Sequence, residues 1–323
     1  ATLPPASINV PHTLQLLEQI APTDQGPGTD SSYRSPKTLQ TLLSDRAAHP
    51  KAQIVAGCTD VGLWVNKLHM DFAQILDLSQ VHELRQVTTT ADMLWIGAAV
   101  SLNDAFEALL VDRSQLQPFA ARFAGLPVRN AGTLGGNVAN GSPIGDTMPL
   151  LIALRASVVL ASIRGERELP LESLYTGYRQ NLMAPDEVLV HIKVPKPQPG
   201  ELLRVYKVSK RLEDDISAVC LAVCLHTQDG VVTQASIGVG GVAATPVRAS
   251  RTEAGLLGRV WSQSCVNDAA TLLQAEFQPI SDLRASSGYR SQVLGNLLQR
   301  FWRESQGQEN TSLANLSLQG VSA

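Results

Sequence analysis

Apolar residues along this chain recur with two spacings, and these spacings predict a mixture of strands and helices. Short apolar runs bounded by turn residues predict buried strands, at 52–57, 73–79, 94–100, 157–162, 187–195, 202–210, 216–225 and 231–241. Segments with apolar residues three or four positions apart predict helices, at 35–50, 61–70, 102–110, 116–125, 148–156, 266–276 and 288–302. The two kinds of element do not alternate regularly, so the pattern favours an α+β fold over a doubly wound sheet.

The first two predicted helices carry clear signals at their starts and on their faces. Ser35 and Pro36 are typical of a helix start, and they precede Leu39, Leu42 and Leu43 at helical spacing. The second helix has one apolar face, formed by Val61, Trp64, Val65 and Leu68. We expect Trp64 to lie in the core.

Turn-rich segments divide the chain. Residues 1–33 are rich in Pro, Gly, Ser, Thr and Asp, which is typical of a linker. The segment PKPQPGE, residues 195–201, is the clearest internal boundary. Residues 306–323 are polar and predict a frayed tail.

The composition is that of an ordinary globular protein, with 44% hydrophobic and 17% charged residues in a chain of 323. A net charge of −3 provides no basic field for nucleic acid. The longest apolar runs contain a charge and are too short to span a membrane. We therefore expect neither a nucleic-acid partner nor a membrane.

The four cysteines, Cys58, Cys220, Cys224 and Cys265, form no pattern of iron–sulfur or zinc ligands. Cys220 and Cys224 lie in an apolar run, where we expect them to be buried as small hydrophobic side chains. The sequence thus predicts free thiols, no metal held by this chain and a cytoplasmic location.

The segment IVAGCTDVG, residues 54–62, joins a predicted strand to a predicted helix. Gly57 permits a tight turn there, and Thr59 or Asp60 can cap the helix. Unpaired N–H groups and the helix dipole make such a junction favourable for a phosphate. An ordinary capped junction that binds nothing is the alternative interpretation.

The segment RNAGTLGGNVANGSPIGD, residues 129–146, holds five glycines and matches neither the Rossmann nor the P-loop motif. Glycines such as Gly135 and Gly136 allow backbone N–H groups to approach a ligand closely. Asn137 and Asn140 add amide donors. The two glycine-rich turns lie about 75 residues apart, and together they predict a clamp for one extended dinucleotide.

Together these segments resemble the flavin-binding portion of xanthine dehydrogenase and its relatives, the molybdenum hydroxylases. Five stretches occur in the family's order: IVAGCTDVGLWVNK, FAGLPVRNAGTLGGNVANGSPIGDTMPLLIAL, YTGYRQNLMAPDEVLVHIKVP, YKVSKRLEDDISAVC and GGVAATPVRAS. The resemblance implies an FAD-binding domain of the vanillyl-alcohol-oxidase type with two α+β subdomains, followed by a smaller α+β C-terminal domain. The implied domains are 34–197, divided near residue 88, and 198–305.

The resemblance also implies which residues contact FAD. One set would bind the diphosphate, mostly through backbone N–H groups: Ile54, Val55, Ala56, Gly57, Cys58, Thr59, Asp60 and Val61. A second set comes from the longer glycine-rich segment: Thr133, Leu134, Gly135, Gly136 and Asn137. The remaining correspondences are an aromatic close to the flavin, an FAD-contacting carboxylate and two residues beside the isoalloxazine: Phe123, Asp146, Leu189 and Lys207.

Three of these positions carry further expectations. Cys58 stands where relatives often have Gly or Asn, and its thiol is expected to be packed rather than reactive. Asp146 precedes an apolar helix, where it can also serve simply as the N-cap. Lys207 is the implied electrostatic partner of the flavin.

The resemblance places the chain within a larger complex. Hypoxanthine and xanthine would be oxidised to urate at a molybdenum cofactor on a partner chain. Electrons would then pass through two [2Fe-2S] clusters to this FAD and on to NAD+. The implied partners are an iron–sulfur domain or subunit and a molybdenum-cofactor subunit, in a hetero-oligomer such as a dimer of heterodimers.

The charged stretch SKRLEDD, residues 209–215, resembles a family loop that runs near the flavin and influences access of the electron acceptor. Arg211 and Asp214 are the charges that we expect to matter. The alternative interpretation is a solvated turn whose ion pairs contribute little.

Three other functions remain open. The chain could be the flavin subunit of another molybdenum hydroxylase, such as carbon monoxide dehydrogenase. A stand-alone flavin oxidase is disfavoured because no substrate base or covalent-flavin histidine stands out. A docking subunit that has lost FAD is disfavoured by the intact glycine turns. The substrate, the choice between NAD+ and oxygen, and membership of a longer subunit are not determined by this sequence.

Overall fold

The computed structural model describes residues 10–19, 32–212 and 214–308, and these form helices and strands in mixed order. The helices are α1 (Val10–Gln19), α2 (Leu39–Ala48), α3 (Val61–Leu68), α4 (Leu102–Asp112), α5 (Gln117–Arg122), α6 (Leu126–Ala131), α7 (Leu134–Asn140), α8 (Thr147–Ala153), α9 (Ser250–Leu256), α10 (Gln263–Glu276) and α11 (Ser287–Ser305). The strands are β1 (Tyr33–Arg34), β2 (Gln53–Val55), β3 (Ile75–Asp77), β4 (Val87–Thr89), β5 (Met93–Gly97), β6 (Ser157–Ser162), β7 (Gly165–Pro170), β8 (Tyr175–Gly177), β9 (Gln180–Asn181), β10 (Val188–Pro195), β11 (Glu201–Val208), β12 (Val219–Gln228), β13 (Val231–Gly240) and β14 (Val247–Arg248). The α+β prediction is confirmed.

Three larger sheets follow one another along the chain. The first is parallel, with strand order β1-β3-β2, and the second is antiparallel, with order β4-β5-β10-β6-β7. The third is antiparallel, with order β11-β12-β13-β14. Strands β8 and β9 form a separate small hairpin. The architecture is therefore a two-part domain followed by a C-terminal α+β domain, as predicted.

Helix α8 joins the last two sheets. All seven of its residues are buried, so the helix is apolar on every side, as a core helix must be. Its Pro149 carbonyl lies so close to Gly238 that a Cβ there would stand 2.0 Å from the oxygen. The third sheet therefore packs directly onto the FAD-binding domain implied by the sequence, and its other face packs on α10 and α11.

The buried strand β12 shows how the two faces of this sheet are divided. Cys220 and Cys224 point with Ala222 into the core shared with α8. Leu221 and Val223 belong to the core beneath the C-terminal helices. The period of two along a strand produces this division, and it confirms that both cysteines are buried.

Several local predictions were wrong. Helix α2 begins after Thr38, whose hydroxyl accepts the Thr41 N–H at 3.3 Å, so the cap is not the Ser35–Pro36 pair. Helix α3 buries none of its residues, so Trp64, which was expected in the core, is only partly buried. The longer glycine-rich segment was expected to form a turn, but it holds α7 and part of α6.

The segment predicted as a linker contains α1, Val10–Gln19, while residues 1–9 and 20–31 lie outside the described residues. Of the predicted tail, residues 306–308 are described and 309–323 are not. No helix in the described ranges is both long and apolar enough to cross a membrane.

Candidate functional site

A cavity of about 400 Å³ lies between the turn after β2 and the start of α7. It brings together thirteen of the seventeen residues that the resemblance implied: Ile54, Val55, Ala56, Gly57, Cys58, Thr59, Asp60, Val61, Thr133, Gly135, Gly136, Asn137 and Leu189. Ligand cavities of small molecules have volumes of about this size. The two segments that are far apart in sequence therefore do meet around one space.

The glycines of these segments serve first to pack the two segments against each other. A Cβ on Gly57 would lie 1.9 Å from the Ala131 carbonyl oxygen, and one on Gly135 would lie 2.5 Å from the Ala98 Cβ. Neither distance is possible for real atoms. The bare backbone therefore allows close approach of protein to protein, a role that the sequence analysis had assigned to the ligand.

The backbone donors of α7 are already used within the protein. The N–H groups of Leu134 and Gly135 donate to the Val100 and Ala98 carbonyls at 3.0 and 3.1 Å. The Gly136 N–H donates to the Thr133 hydroxyl at 3.0 Å, as in an N-capped helix. The expectation that this segment aims N–H donors at a ligand is thus wrong at these positions. Leu134 itself is buried outside the cavity lining.

The turn before α3 supplies free donors instead. Within the described part of the chain, the backbone N–H groups of Cys58, Thr59 and Asp60 donate no hydrogen bond. Cys58 has φ of 55° and Asp60 has right-handed helical backbone angles. Successive N–H groups in such left-handed and right-handed conformations converge into a concave site for an anion. This turn therefore has the geometry of an anion site.

Neither predicted cap of α3 makes a capping hydrogen bond. Asp60 occupies the N-cap position, but its side chain does not accept from the helix. Its carboxylate accepts instead from the Asn140 amide at the end of α7. This bond joins the two glycine-rich segments at the cavity mouth.

Cys58 is exposed and lines the cavity, so the expectation of a packed thiol was wrong. Its left-handed φ is a conformation that Gly and Asn adopt readily, and these are the residues that the resemblance implies at this position. Partial burial and the nearby Asp77 carboxylate raise the pKa of the Cys58 thiol.

Asp146 and Lys207 form a buried ion pair, with 2.6 Å between Lys207 Nζ and Asp146 Oδ2. The Ser217 hydroxyl donates to the same oxygen at 2.8 Å. Asp146 stands at the N-cap of α8 without making the capping bond that was considered for it. Its other oxygen, Oδ1, is buried and has no hydrogen-bond partner among the described residues.

The ion pair does not line the cavity but adjoins its wall. Thr147, the next residue after Asp146, donates its hydroxyl to the Asn137 amide oxygen. Asn137 lines the cavity. Leu189 also lines the cavity, whereas Lys207 does not.

Phe123 lies in an aromatic cluster beyond this wall. Its ring centroid is 5.2 Å from that of Phe106 and 6.2 Å from that of Phe119, and the side chain is buried. The Arg129 guanidinium donates to the carbonyl oxygens of Phe123 and Ala124 at 2.8 and 2.6 Å. The turn that carries Phe123 is therefore fixed.

The charged loop is anchored to that turn by Arg122. The Arg122 guanidinium donates to the Lys207 carbonyl at 2.8 Å, the Ser209 hydroxyl at 3.1 Å and the Leu212 carbonyl at 3.1 Å. Asp214, with φ of 47°, lays its carboxylate directly over Gly125. Arg122 was not predicted from the sequence as a site residue, although its position next to Phe123 was a signal for it.

Arg211 contributes much less than Arg122 to holding this loop in place. Its side chain is 74% exposed, and its ion pair with the Asp215 carboxylate spans 3.4 Å. An ion pair of this kind contributes about 1 kcal/mol or less. Glu213 lies outside the described residues.

Other lining residues were also missed. Trp64 was expected in the core, but it is half-buried on the cavity wall, with the Arg179 guanidinium 5.4 Å from its ring centroid. Arg46, Gln53 and Asn181 also line the cavity. The signal for Arg46 and Gln53 was their position just before the first glycine-rich segment.

The hairpin of β8 and β9 holds α7 from outside. The Tyr175 hydroxyl donates to the Val138 carbonyl at 2.9 Å, and the Asn181 amide donates to the Ala139 carbonyl at 3.4 Å. A Cβ on Gly141 would lie 2.9 Å from the Tyr175 ring. The hairpin thus fixes the helix that forms one wall of the cavity.

A second cavity of about 500 Å³ lies beyond the contact between the two glycine-rich segments. It shares Ala56, Gly57 and Thr133 with the first cavity. Arg85, Asp104 and Asn130 line its polar walls. Because these walls come from both subdomains, the second cavity lies at the junction between them.

One group of possible metal-ligating atoms occurs in the C-terminal sheet. Glu201, Cys224 and His226 place ligand atoms within 4.8 Å of one another. The Arg113 guanidinium donates to both Glu201 oxygens at 2.8 and 3.0 Å. This carboxylate is therefore engaged in a buried ion pair.

Two family models match the chain. The FAD binding domain in molybdopterin dehydrogenase matches residues 29–197, and the CO dehydrogenase flavoprotein C-terminal domain matches residues 204–305. The first model alone covers more than half of the chain.

Curated relatives support the same family. A xanthine dehydrogenase/oxidase of Gallus gallus is 32% identical over 75% of this chain and 19% of its own length. A xanthine dehydrogenase of Drosophila subobscura is 37% identical over 68% of this chain and 18% of its own length. A nicotinate hydroxylase of Emericella nidulans is 30% identical over 84% of this chain and 22% of its own length. The chain thus spans about a fifth of the length of these relatives.

Solved structures resemble this chain over nearly their whole length. Carbon monoxide dehydrogenase from Hydrogenophaga pseudoflava matches with a TM-score of 0.80 and 27% identity, over 86% of this chain and 98% of the other. Quinoline 2-oxidoreductase from Pseudomonas putida 86 matches with a TM-score of 0.77 and 28% identity, over 86% of this chain and 97% of the other. The chain belongs to the family of FAD-binding components of molybdenum hydroxylases.

Proposed function

We propose that this chain is the FAD-binding component of a cytoplasmic xanthine dehydrogenase complex that uses NAD+ as electron acceptor. The observation that carries the proposal is the cavity between the two glycine-rich segments, with three unused N–H groups on one wall. Curated relatives named xanthine dehydrogenase support the substrate. The expected partners are an iron–sulfur domain or subunit and a molybdenum-cofactor subunit, in a hetero-oligomer.

The residues present fit an FAD molecule. The free N–H groups of Cys58, Thr59 and Asp60 suit the diphosphate, which is anionic. The buried Oδ1 of Asp146 needs a donor that the described protein does not supply, and a hydroxyl or N–H of the cofactor would provide one. Bound FAD would accept electrons from the iron–sulfur side and pass them to NAD+ as hydride.

The protein's own contribution is to hold the cofactor in place and to insulate it. The turn before α3 fixes the diphosphate, and the packed glycines keep the two walls at a constant separation. Lys207 and Asp146 are paired at 2.6 Å in a buried place, so each provides the other with a partner of opposite charge. No side chain among the described residues is assigned a proton-transfer role.

Steady-state turnover tests the proposal directly. The intact complex should form urate and NADH when xanthine and NAD+ are supplied together. Carbon monoxide is the matched alternative substrate, because the solved structures resembling this chain include carbon monoxide dehydrogenase. Turnover with carbon monoxide and none with xanthine would contradict the proposal and assign the chain to a carbon monoxide dehydrogenase instead.

We predict that bound FAD protects Cys58 from alkylation. In the flavin-free protein, iodoacetamide should modify Cys58 because it is the exposed cysteine, whereas Cys220, Cys224 and Cys265 are buried. The raised pKa keeps most of the thiol protonated at neutral pH, so the rate should still increase above about pH 8.5, where an ordinary cysteine levels off.

Mass spectrometry of tryptic peptides measures this modification. Equal labelling of Cys58 with and without saturating FAD would mean that the cofactor does not cover this turn. Labelling of the buried cysteines in the same sample reports unfolding.

A second prediction concerns the loop that Arg122 anchors. Arg122→Ala removes three donors to this loop, and the KM for NAD+ should rise about fivefold, which corresponds to about 1 kcal/mol. The rate of flavin reduction by xanthine should change much less. Arg259→Ala, which breaks an exposed ion pair with Asp268, is the control.

Hydrogen exchange of residues 209–216 should accelerate in the Arg122→Ala protein. If the KM for NAD+ stays constant while exchange accelerates, the loop does not control access of the acceptor. Measuring the KM for NAD+ and hydrogen exchange on Arg211→Ala as well distinguishes the effect of the Arg122 anchor from that of the exposed Arg211 charge.

A further inference from the structure

The cavity holds one cation whose role the proposed FAD site does not explain. Arg46, on α2, lines the cavity and is half-buried. Its Nη1 donates to the Ala52 carbonyl at 2.9 Å, and within the described ranges this is its only hydrogen bond. The Nε atom is buried without a partner. A half-buried guanidinium with most donors unused is costly unless a ligand completes its surroundings.

The walls around Arg46 are apolar. Ile54, Leu78, Val188 and Leu189 line the same cavity, and Leu78 and Val188 belong to a core cluster formed by residues of the first two sheets. Burial lowers the pKa of Arg46, and the more distant Asp186 carboxylate acts in the opposite direction. This part of the cavity therefore combines apolar walls with one planar cation.

The two sides of the cavity lead to different surroundings. Leu78 and Val188, which line the cavity together with Arg46, belong to a buried core cluster. The Asn137 side leads towards Thr147, Asp146 and the loop after Lys207, whose residues 210–212 are exposed. The redox-active ring must exchange electrons with other groups, whereas the adenine of FAD only needs to be held. The side with Arg46 therefore suits the adenine.

We propose that Arg46 contacts the adenine base of FAD and fixes the orientation of the dinucleotide in the cavity. This inference rests on the proposed function. A planar guanidinium packs well against an aromatic ring and is weakly hydrated, so it recognises a base better than an ammonium group does. Contacts of this kind contribute about 0.5–2 kcal/mol, which corresponds to an affinity change of roughly 2- to 30-fold.

The test uses the native assembly stripped of flavin and titrated by calorimetry with FAD, ADP and FMN. Arg46→Met should weaken FAD and ADP by about tenfold and leave FMN unchanged, because FMN has no adenine. Arg46→Lys keeps the charge, so its affinities for FAD and ADP should lie between those of the unmodified protein and those of Arg46→Met. Arg34→Met is the control, since Arg34 pairs with Asp45 on the same helix but does not line the cavity.

The outcomes separate this inference from the proposed function. If the unmodified protein binds no FAD, the proposed function fails. If it binds FAD and Arg46→Met weakens FMN as much as ADP, Arg46 acts on phosphate and the inference is overturned. Unchanged ADP binding overturns it as well.

A measurement on the unmodified protein avoids any folding defect of the variants. Phenylglyoxal, which modifies arginine, should label Arg46 in the stripped protein. ADP should block this labelling and FMN should not, as mapped by mass spectrometry. Protection by FMN alone would place the flavin ring at this end and contradict the inference.

Discussion

Gly57→Ala is expected to abolish retention of FAD and to destabilise the chain by about 3 kcal/mol, the upper part of the range for overpacking. The added Cβ would stand 1.9 Å from the Ala131 carbonyl oxygen and 2.7 Å from the Gly132 Cα. Both are backbone atoms, so neither can rotate away. The two walls of the cavity must separate, and the free N–H groups of the turn lose their position.

Gly62→Ala is the matched control. Gly62 lies in α3, five residues from Gly57, and a Cβ there meets nothing within 4 Å. Alanine within a helix is favoured over glycine by about 1 kcal/mol, so this variant should be slightly stabilised and keep its FAD. Flavin absorbance per chain and chemical denaturation measure both effects. A Gly57→Ala protein with full FAD and unchanged stability would refute the packing of the two segments.

The second large effect is expected at the buried ion pair. Lys207→Met leaves the Asp146 carboxylate buried with only the Ser217 hydroxyl as donor, and the free energy of unfolding should fall by about 3–5 kcal/mol. The double variant Lys207→Met/Asp146→Asn removes both charges and should recover most of that loss. The pair is thus predicted to be strongly coupled in a double-mutant cycle.

Lys196→Met provides the comparison. Lys196 pairs with Asp112 at 2.5 Å, but both side chains are about a fifth exposed. Water weakens such a pair, so the loss should be about 1 kcal/mol or less. Denaturant unfolding of five proteins gives the values: the unmodified chain, Lys207→Met, Asp146→Asn, the double variant and Lys196→Met. Equal losses for the two lysines would show that the Asp146 carboxylate is not dependent on Lys207.

Much of the fold was accessible from the sequence because the core elements keep strict spacing. The run at 216–225 alternates between two buried faces, and it became β12. The α8 segment is apolar on all sides and became the central helix. Such patterns depend on burial alone, which one-dimensional spacing records well.

Several features of the site could not be predicted, because they depend on contacts between distant segments. The glycines suggested an open backbone, but their closest neighbours are Ala131 and Ala98, which no local pattern identifies. The N–H groups of α7 seemed free in sequence, yet Val100 and Ala98 accept them. The turn was recognised, but its unused donors depend on the left-handed Cys58.

The apolar α3 illustrates the opposite error. Its spacing gives one apolar face, yet Val65 and Leu68 of that face are exposed. Spacing reports that a face is apolar, but it does not report which surface covers that face. The cap of α2 failed for a related reason, since Thr38 and Ser35 are equally good cap residues and only the backbone angles distinguish them.

The central claim is that this chain carries FAD as the electron-transfer component of a xanthine dehydrogenase. The most direct measurement is the absorbance spectrum of the native complex, followed anaerobically as xanthine and then NAD+ are added. The account predicts flavin bands that bleach with xanthine and return with NAD+. Flavin bands that xanthine leaves unchanged would contradict the proposed substrate. A folded complex without flavin would contradict the account as a whole.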